Sequence, residues 1–256
     1  MGKFMLENKV AIITGASSGI GKATAELFAE EGAAVFITEI DEQQLNEVVE
    51  EITAKGMQAA GMVADVTDPA KVSEVFERAV EQFGGIDILI NNAGVVDGDA
   101  IDEIEDERMQ AIFDVNYFGP ARYVREALKY FLPKDDGVII NVTSVNGKHP
   151  INGVAYASSK GALNTLTHNV AIRLSETDIR CNAIAPGTTM TPMHKGNLEG
   201  TNPGGTLQLE LGKKYVSWEA EETDPIDQAN ACLFLASDMG RKMKGQILQV
   251  DNAAFL

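Results

Sequence analysis

Seven short apolar runs, separated by longer stretches with helical spacing, are what most restricts how this 256-residue chain can fold. The runs are Val10 to Thr14, Val35 to Thr38, Gln58 to Ala64, Asp87 to Ile90, Val138 to Asn141, Ile179 to Ile184 and Ile247 to Val250. Runs this short read as buried strands rather than helices. Between them lie amphipathic stretches from about Ile20 to Glu31, Asp41 to Lys55, Pro69 to Phe83, Glu107 to Phe118, Pro120 to Phe131, Ala155 to Thr177 and Pro225 to Ala236. Apolar strands alternating with helices imply a parallel sheet covered on both faces. The expectation is one α/β domain over residues 1–256, a doubly wound parallel sheet of about seven strands. No repeat, low-complexity tract or interdomain linker interrupts it.

One segment breaks the alternation. Residues 188–224 hold Gly196, Gly200, Gly204, Gly205 and Gly212 with Pro192 and Pro203. A long insertion in a compact domain is usually functional. Because this one follows a strand, it is expected to lie as a lid over the carboxyl edge of the sheet, where open α/β folds bind ligands.

Composition removes several classes of function. A net charge of −17 repels phosphate backbones, which argues against nucleic-acid binding. No run of 18 or more apolar residues suggests a membrane span, and the opening residues lack the apolar core of a secretory leader. Cys181 and Cys232 fall in apolar segments, as reduced buried thiols do, so the expected compartment is the cytoplasm. No Cys/His spacing resembles a zinc site, and no metal is expected.

Between the first strand and the first helix stands Thr14-Gly15-Ala16-Ser17-Ser18-Gly19-Ile20-Gly21. Gly15 permits a tight turn, Gly19 lets a ligand approach the backbone, and Gly21 allows close packing of helix on strand. Free N–H groups at the helix start can then hold a pyrophosphate, as in a Rossmann-like fold. Glu39 ends the second strand, where a carboxylate accepts hydrogen bonds from both ribose hydroxyls and repels a 2′-phosphate. Ser18 brings no positive charge to offset that repulsion, so the expected cofactor is NAD rather than its phosphorylated form. Asp65 and Val66 end the third strand within reach of an adenine. Asn91-Asn92-Ala93-Gly94 ends the fourth, where the amides either flank the cofactor or fix a turn.

Tyr156 and Lys160 sit one helical turn apart. At roughly 5 Å and an effective dielectric of about 20, an ammonium favours a phenolate by about 3 kcal/mol, or roughly two pKa units. That would bring the phenol towards working pH, where it can exchange a proton with an alcohol. An exposed helix face shows the same spacing without any chemistry.

Together the glycine turn, Asn91-Asn-Ala-Gly94, Asn116, Ser144, Tyr156-x-x-x-Lys160 and Pro186-Gly187 resemble the short-chain dehydrogenase/reductases along nearly the whole chain. The resemblance implies Tyr156 as general acid/base, with Lys160 lowering its pKa and binding the nicotinamide ribose. It implies Ser144 as donor to the reacting oxygen, Asn116 as holder of a water linking Lys160 to solvent, and Pro186, Gly187 and Thr189 beside the cofactor. It also implies a homotetramer. After Gly245 to Asp251 the family often continues with two glycines; here Asn252-Ala253 stand instead, a departure that bears on subunit packing.

For the substrate, Val96, Asn146, His149, Met190 and Met193 are the candidates, with Trp218 as anchor or cover of the lid. The expected activity is NAD-dependent oxidation of a secondary alcohol, cyclic or hydrophobic and hydroxysteroid-like, or the reverse reduction. A 3-oxoacyl carrier-protein reductase, a sugar or polyol dehydrogenase and a catalytically silent NAD-sensing protein are the alternatives.

Overall fold

The computed structural model describes residues 4–255 other than 216 and 218. In chain order the elements are β1 (Val10–Thr14), α1 (Gly19–Glu30), β2 (Ala34–Glu39), α2 (Glu42–Ala54), β3 (Ala59–Val63), α3 (Pro69–Phe83), β4 (Ile88–Asn91), α4 (Asp106–Phe113), α5 (Gly119–Phe131), β5 (Val138–Val142), α6 (Val154–Arg173), β6 (Arg180–Pro186), α7 (Pro192–Glu199), α8 (Leu207–Gly212), α9 (Pro225–Ala236) and β7 (Ile247–Val250). The strands form one seven-stranded sheet, paired in parallel throughout, in the order β3-β2-β1-β4-β5-β6-β7.

Period-two alternation sends each strand's side chains to two separate cores. Ala11, Ile13, Val35 and Ile37 pack with Phe28 of α1, Val48 of α2 and Leu233 of α9. Ile12, Phe36 and Leu89 pack with Phe76 of α3, Tyr123 of α5 and Val170 of α6 on the opposite face. Each such large buried side chain contributes roughly 1.5–3 kcal/mol. Cys181 and Cys232 are free and buried, one in each core, and burial pushes both thiols up to about 12.

Strand order reverses between β1 and β4. The helices leaving those strands depart on opposite faces, which opens a crevice at their carboxyl ends. Helices α2 and α3 begin with a side-chain cap: Asp41 accepts from the N–H of Gln44 at 3.0 Å, and Asp68 from that of Ala70 at 2.8 Å ahead of Pro69. Helix α1 does not. Its N-cap, Ser18, makes no side-chain cap bond, which leaves the first N–H groups of that helix uncapped at the crevice.

Two of the expected helix bounds shift by several residues. The stretch from Glu107 to Phe118 is not one α-helix: α4 stops at Phe113, and Asp114–Phe118 form a π-helical turn before α5. The helix expected over Ala155 to Thr177 ends at Arg173. Within the insertion, residues 188–224 carry α7 and α8, and a parallel bridge between Thr189 and Thr223 ties their two ends together.

Candidate active site

Gly15 (φ 62°) and Gly19 (φ 53°) give the first turn its left-handed corners. A β-carbon on residue 21 would collide with the Gly15 carbonyl oxygen and the Asn92 amide, so Gly21 packs the helix onto the turn. The Asn92 amide donates to the carbonyls of Thr14 (3.0 Å) and Gly15 (2.7 Å), while the Thr14 hydroxyl accepts from the N–H groups of Asn92 and Ala93. The end of β4 thus braces the glycine turn. Of the paired asparagines, Asn92 fixes the turn, and Asn91 turns inward to donate to Asn141 at 2.9 Å.

Glu39 closes β2. Its carboxylate accepts from the Ser17 hydroxyl at 2.7 Å and from the N–H of Ile40 at 2.8 Å, which holds it at the rim of the turn. From here a single cleft of about 640 Å³ runs along the carboxyl edge of the sheet. Gly15, Ser17, Ser18, Gly19, Ile20, Glu39, Asp65, Val66, Asn92, Ala93, Gly94, Pro186, Gly187 and Thr189 all line it, and Gly21 supports it from behind.

Ser144, Tyr156 and Lys160 line the same cleft. Ser144 follows β5 and caps a short 3₁₀ turn. Its hydroxyl oxygen accepts from the Asn146 backbone N–H at 3.1 Å and from the Asn146 amide at 3.4 Å. Both lone pairs are occupied, so the hydroxyl proton is the part left to donate. Helix α6 presents Tyr156 and Lys160 one turn apart, buried at 8% and 4% exposure. The Lys160 ammonium donates to the Val142 carbonyl at 2.9 Å and lies 5.8 Å from the centre of the Tyr156 ring. They are not an exposed helix face.

The electrostatics differ from the expected form. Burial is the largest influence on Tyr156 and pushes its phenol up, with Ser144 pulling it back down. Burial also lowers Lys160, to about 8. The net direction for Tyr156 is therefore opposite to the one inferred from the ammonium alone, because removing a phenolate from water costs more than its neighbours return.

Asn116, in the π-helical turn, is fully buried and does not line the cleft. Its amide accepts from the Val95 N–H and donates to the Val95 carbonyl, both at 2.9 Å, and donates to Ser159 at 3.1 Å. It braces the loop after β4 against the helix that carries Tyr156.

At the far end, Val96, Asn146 and Met193 line the cleft as expected of substrate candidates. Two others do not. Met190 is 54% exposed and held by its backbone to Thr223, and His149 packs its ring against Phe255 with centroids 5.7 Å apart. Trp218 lies outside the described residues. Sequence reasoning missed Ile151, Asn152 and Phe255 as lining residues, and Asp97 as the group that accepts from the Tyr156 backbone N–H at 2.8 Å. Among the described residues no cluster of three or more His, Cys, Asp or Glu could hold a metal, and no helix is long and apolar enough to cross a membrane.

Known proteins resemble the chain along nearly its full length. Residues 9–202 match the family described as short chain dehydrogenase. A 3-oxoacyl-[acyl-carrier-protein] reductase of Thermotoga maritima is 35% identical, over 96% of this chain and 97% of its own. A 3alpha-hydroxysteroid dehydrogenase of Mediterraneibacter gnavus is also 35% identical, over 98% of each chain. The crystal structure of a dehydrogenase/reductase from Sinorhizobium meliloti 1021 matches with a TM-score of 0.84 at 30% identity, covering 97% of this chain and 96% of that one.

Proposed function

The chain belongs to the short-chain dehydrogenase family, and on that footing we propose that it passes hydride between NAD(H) and a cyclic or hydrophobic secondary alcohol or ketone. As a member of that family it is an oxidoreductase acting on CH–OH groups. One observation carries the finer reading. A continuous cleft joins a Tyr–Ser–Lys cluster at one end to an uncapped helix start and a carboxylate at the other.

The residues present fit a nicotinamide dinucleotide. Gly15 and Gly19 leave the backbone bare, the first N–H groups of α1 suit a pyrophosphate, and Glu39 suits a ribose diol. When bound, that group supplies the hydride donor or acceptor. NAD is favoured over NADP because Lys160 is the sole lysine or arginine among the described residues lining the cleft, and it belongs to the chemical end. A 2′-phosphate beside Glu39 would meet a like charge with no cation to offset it, at a cost of about 3 kcal/mol per charge at roughly 5 Å and an effective dielectric of about 20.

At the chemical end, Tyr156 takes the carbinol proton in oxidation and returns it in reduction. Ser144 donates its hydroxyl proton to the reacting oxygen, whose charge changes as the C–H bond breaks or forms. Lys160, charged below about 8, stabilises a phenolate on Tyr156 and offers its remaining N–H donors to the cleft. Phe118 and Leu132, exposed apolar side chains at either end of α5, suit a homo-oligomer, and the family resemblance implies a tetramer.

Steady-state kinetics on the purified protein with NAD+ and NADP+ across cyclic, aliphatic and polyhydric secondary alcohols test this reading. NAD+ should give the higher kcat/KM by about tenfold or more. Tyr156→Phe should lose at least about a hundredfold in turnover while NADH binding, followed by fluorescence, persists. A higher kcat/KM with NADP+ removes the cofactor assignment, and normal turnover by the variant removes the proton-transfer role.

A further inference from the structure

We infer that Phe255, carried on a strained turn after β7, forms an apolar subsite for the body of the substrate and selects alcohols bearing a hydrocarbon ring. The inference rests on the dehydrogenase reading above and assigns it a specificity-determining residue.

The turn is unusual in itself. Asn252 (φ 48°) and Ala253 (φ 63°) both adopt the left-handed conformation, and an alanine there has no side-chain bond to offset the clash of its β-carbon. Strain of this kind persists only where the surroundings fix it, and it gathers at functional sites. Asp251 does the fixing. Its carboxylate accepts from the N–H of Phe255 at 3.1 Å and from Gln249 at 2.7 Å, and its carbonyl accepts from the N–H of Ala254 at 3.0 Å. The Asp251 side chain also fills the space a β-carbon on residue 187 would need, so Gly187 is required for the turn to seat. The lid adds two ties: the Ser217 N–H donates to the Ala254 carbonyl at 3.0 Å, and the Asn252 amide donates to the Glu221 carbonyl at 3.2 Å.

All of this delivers one aromatic ring to the cleft. Phe255 packs with Val145 and Ile151 in a small buried cluster separate from the two main cores, and all three line the cleft shared with Tyr156. Val145 directly follows Ser144, which puts the wall beside the proton-transfer groups. Asn146, at the same end, offers little to a polar substrate. Its amide oxygen accepts from the N–H groups of Ile151 (3.0 Å) and Asn152 (2.9 Å), and its nitrogen faces Ser144. An aromatic ring bordered by aliphatic side chains, beside an amide whose oxygen is already engaged, suits a saturated ring. A chain of hydroxyls would leave its donors and acceptors unpaired there.

The test compares NAD+-dependent oxidation of cyclohexanol and 2-propanol by the wild type, Phe255→Ala and Phe255→Leu, with NADH binding followed by fluorescence on each. The wild type should favour cyclohexanol in kcat/KM by about tenfold or more. Phe255→Ala should lose most of that preference, its kcat/KM falling further for cyclohexanol than for 2-propanol while NADH affinity stays within about twofold, and Phe255→Leu should fall between. Should Phe255→Ala fail to bind NADH through misfolding, the Leu variant decides alone by whether the ratio moves. An unchanged ratio in a folded variant overturns the subsite, as does a wild type that oxidises sorbitol better than cyclohexanol; both leave the dehydrogenase reading intact. NADH binding without oxidation of any alcohol sinks that reading, and the subsite with it.

Discussion

Lys160 is the residue on which competing physical effects balance most closely. The residue is 4% exposed, its ammonium donates to one carbonyl beside the Tyr156 ring, and desolvation brings its pKa from 10.5 to about 8. Burial of Tyr156 works against the same pair by raising the phenol. The site therefore holds a cation that the fold disfavours, and that cost has a measurable pH signature. Below about 8 both native and unfolded chains carry the proton, and the full penalty is present. Between about 8 and 10.5 the unfolded chain keeps the proton that the native chain releases, so this group's contribution to stability becomes more favourable as pH rises. Lys160→Met lacks the group while keeping similar bulk. The unfolding free energy of wild type minus variant, from urea titrations, should rise by about 3 kcal/mol at most across that window. The buried thiols titrate in the opposite sense in both proteins and largely cancel in the difference. A flat difference would mean that the ammonium is far better solvated than its surroundings indicate.

Helix α6 shows how an element is placed by contacts that no local pattern announces. Its N-cap is Gly153, which has no side chain to cap with. The connection after β4 supplies the cap instead. The Asp97 carboxylate takes the N–H of Tyr156 at 2.8 Å, and the carbonyls of Asp97 and Asp99 take those of Gly153 and Val154. A carboxylate suits a helix N-terminus, yet burial holds the Asp97 pKa up, and one of its oxygens has no partner. The same connection holds the lid, through Gly98 to Pro203 at 3.2 Å and Gly205 to Asp99 at 2.9 Å. Asp97→Ala should lower unfolding free energy by about 1–2 kcal/mol, with Asp97→Asn, which keeps an acceptor oxygen, losing less. Because the cap seats the turn bearing Tyr156, kcat should fall in the Ala variant while NADH affinity holds; equal losses in both would mark a purely global effect. The cofactor half was legible because its determinants are local: a glycine turn between one strand and one helix, and carboxylates at strand ends. Asn116, Asp97 and Phe255 were legible only as residues, or not at all. Asn116 is turned inward by a π-helical turn within a continuous periodicity, Asp97 meets its partner across 59 positions, and Phe255 depends on two left-handed residues that are not glycines.

At the scale of the whole molecule, seven parallel strands set both halves of the cleft on one edge, within a protein of net charge −17. Glu39, Asp41 and Asp65 line the dinucleotide half, and Lys160 is the cation the described lining residues supply. The long-range field therefore opposes the approach of an anionic dinucleotide, even though the α1 start favours its pyrophosphate at contact. Salt separates the two effects. The Debye length falls from about 30 Å at 0.01 M to about 8 Å at 0.15 M, which screens the distant charges and leaves the short contacts largely unaffected. The association rate constant of NADH, measured by stopped-flow fluorescence, should therefore rise about two- to threefold over that range, with dissociation changing less. NADPH, with its added charge, should show the steeper rise, and the KM of an uncharged alcohol at saturating cofactor should barely move. A rate that falls with salt would show that the uncapped helix, not the net charge, governs capture of the cofactor, and would weaken the electrostatic part of the preference for NAD.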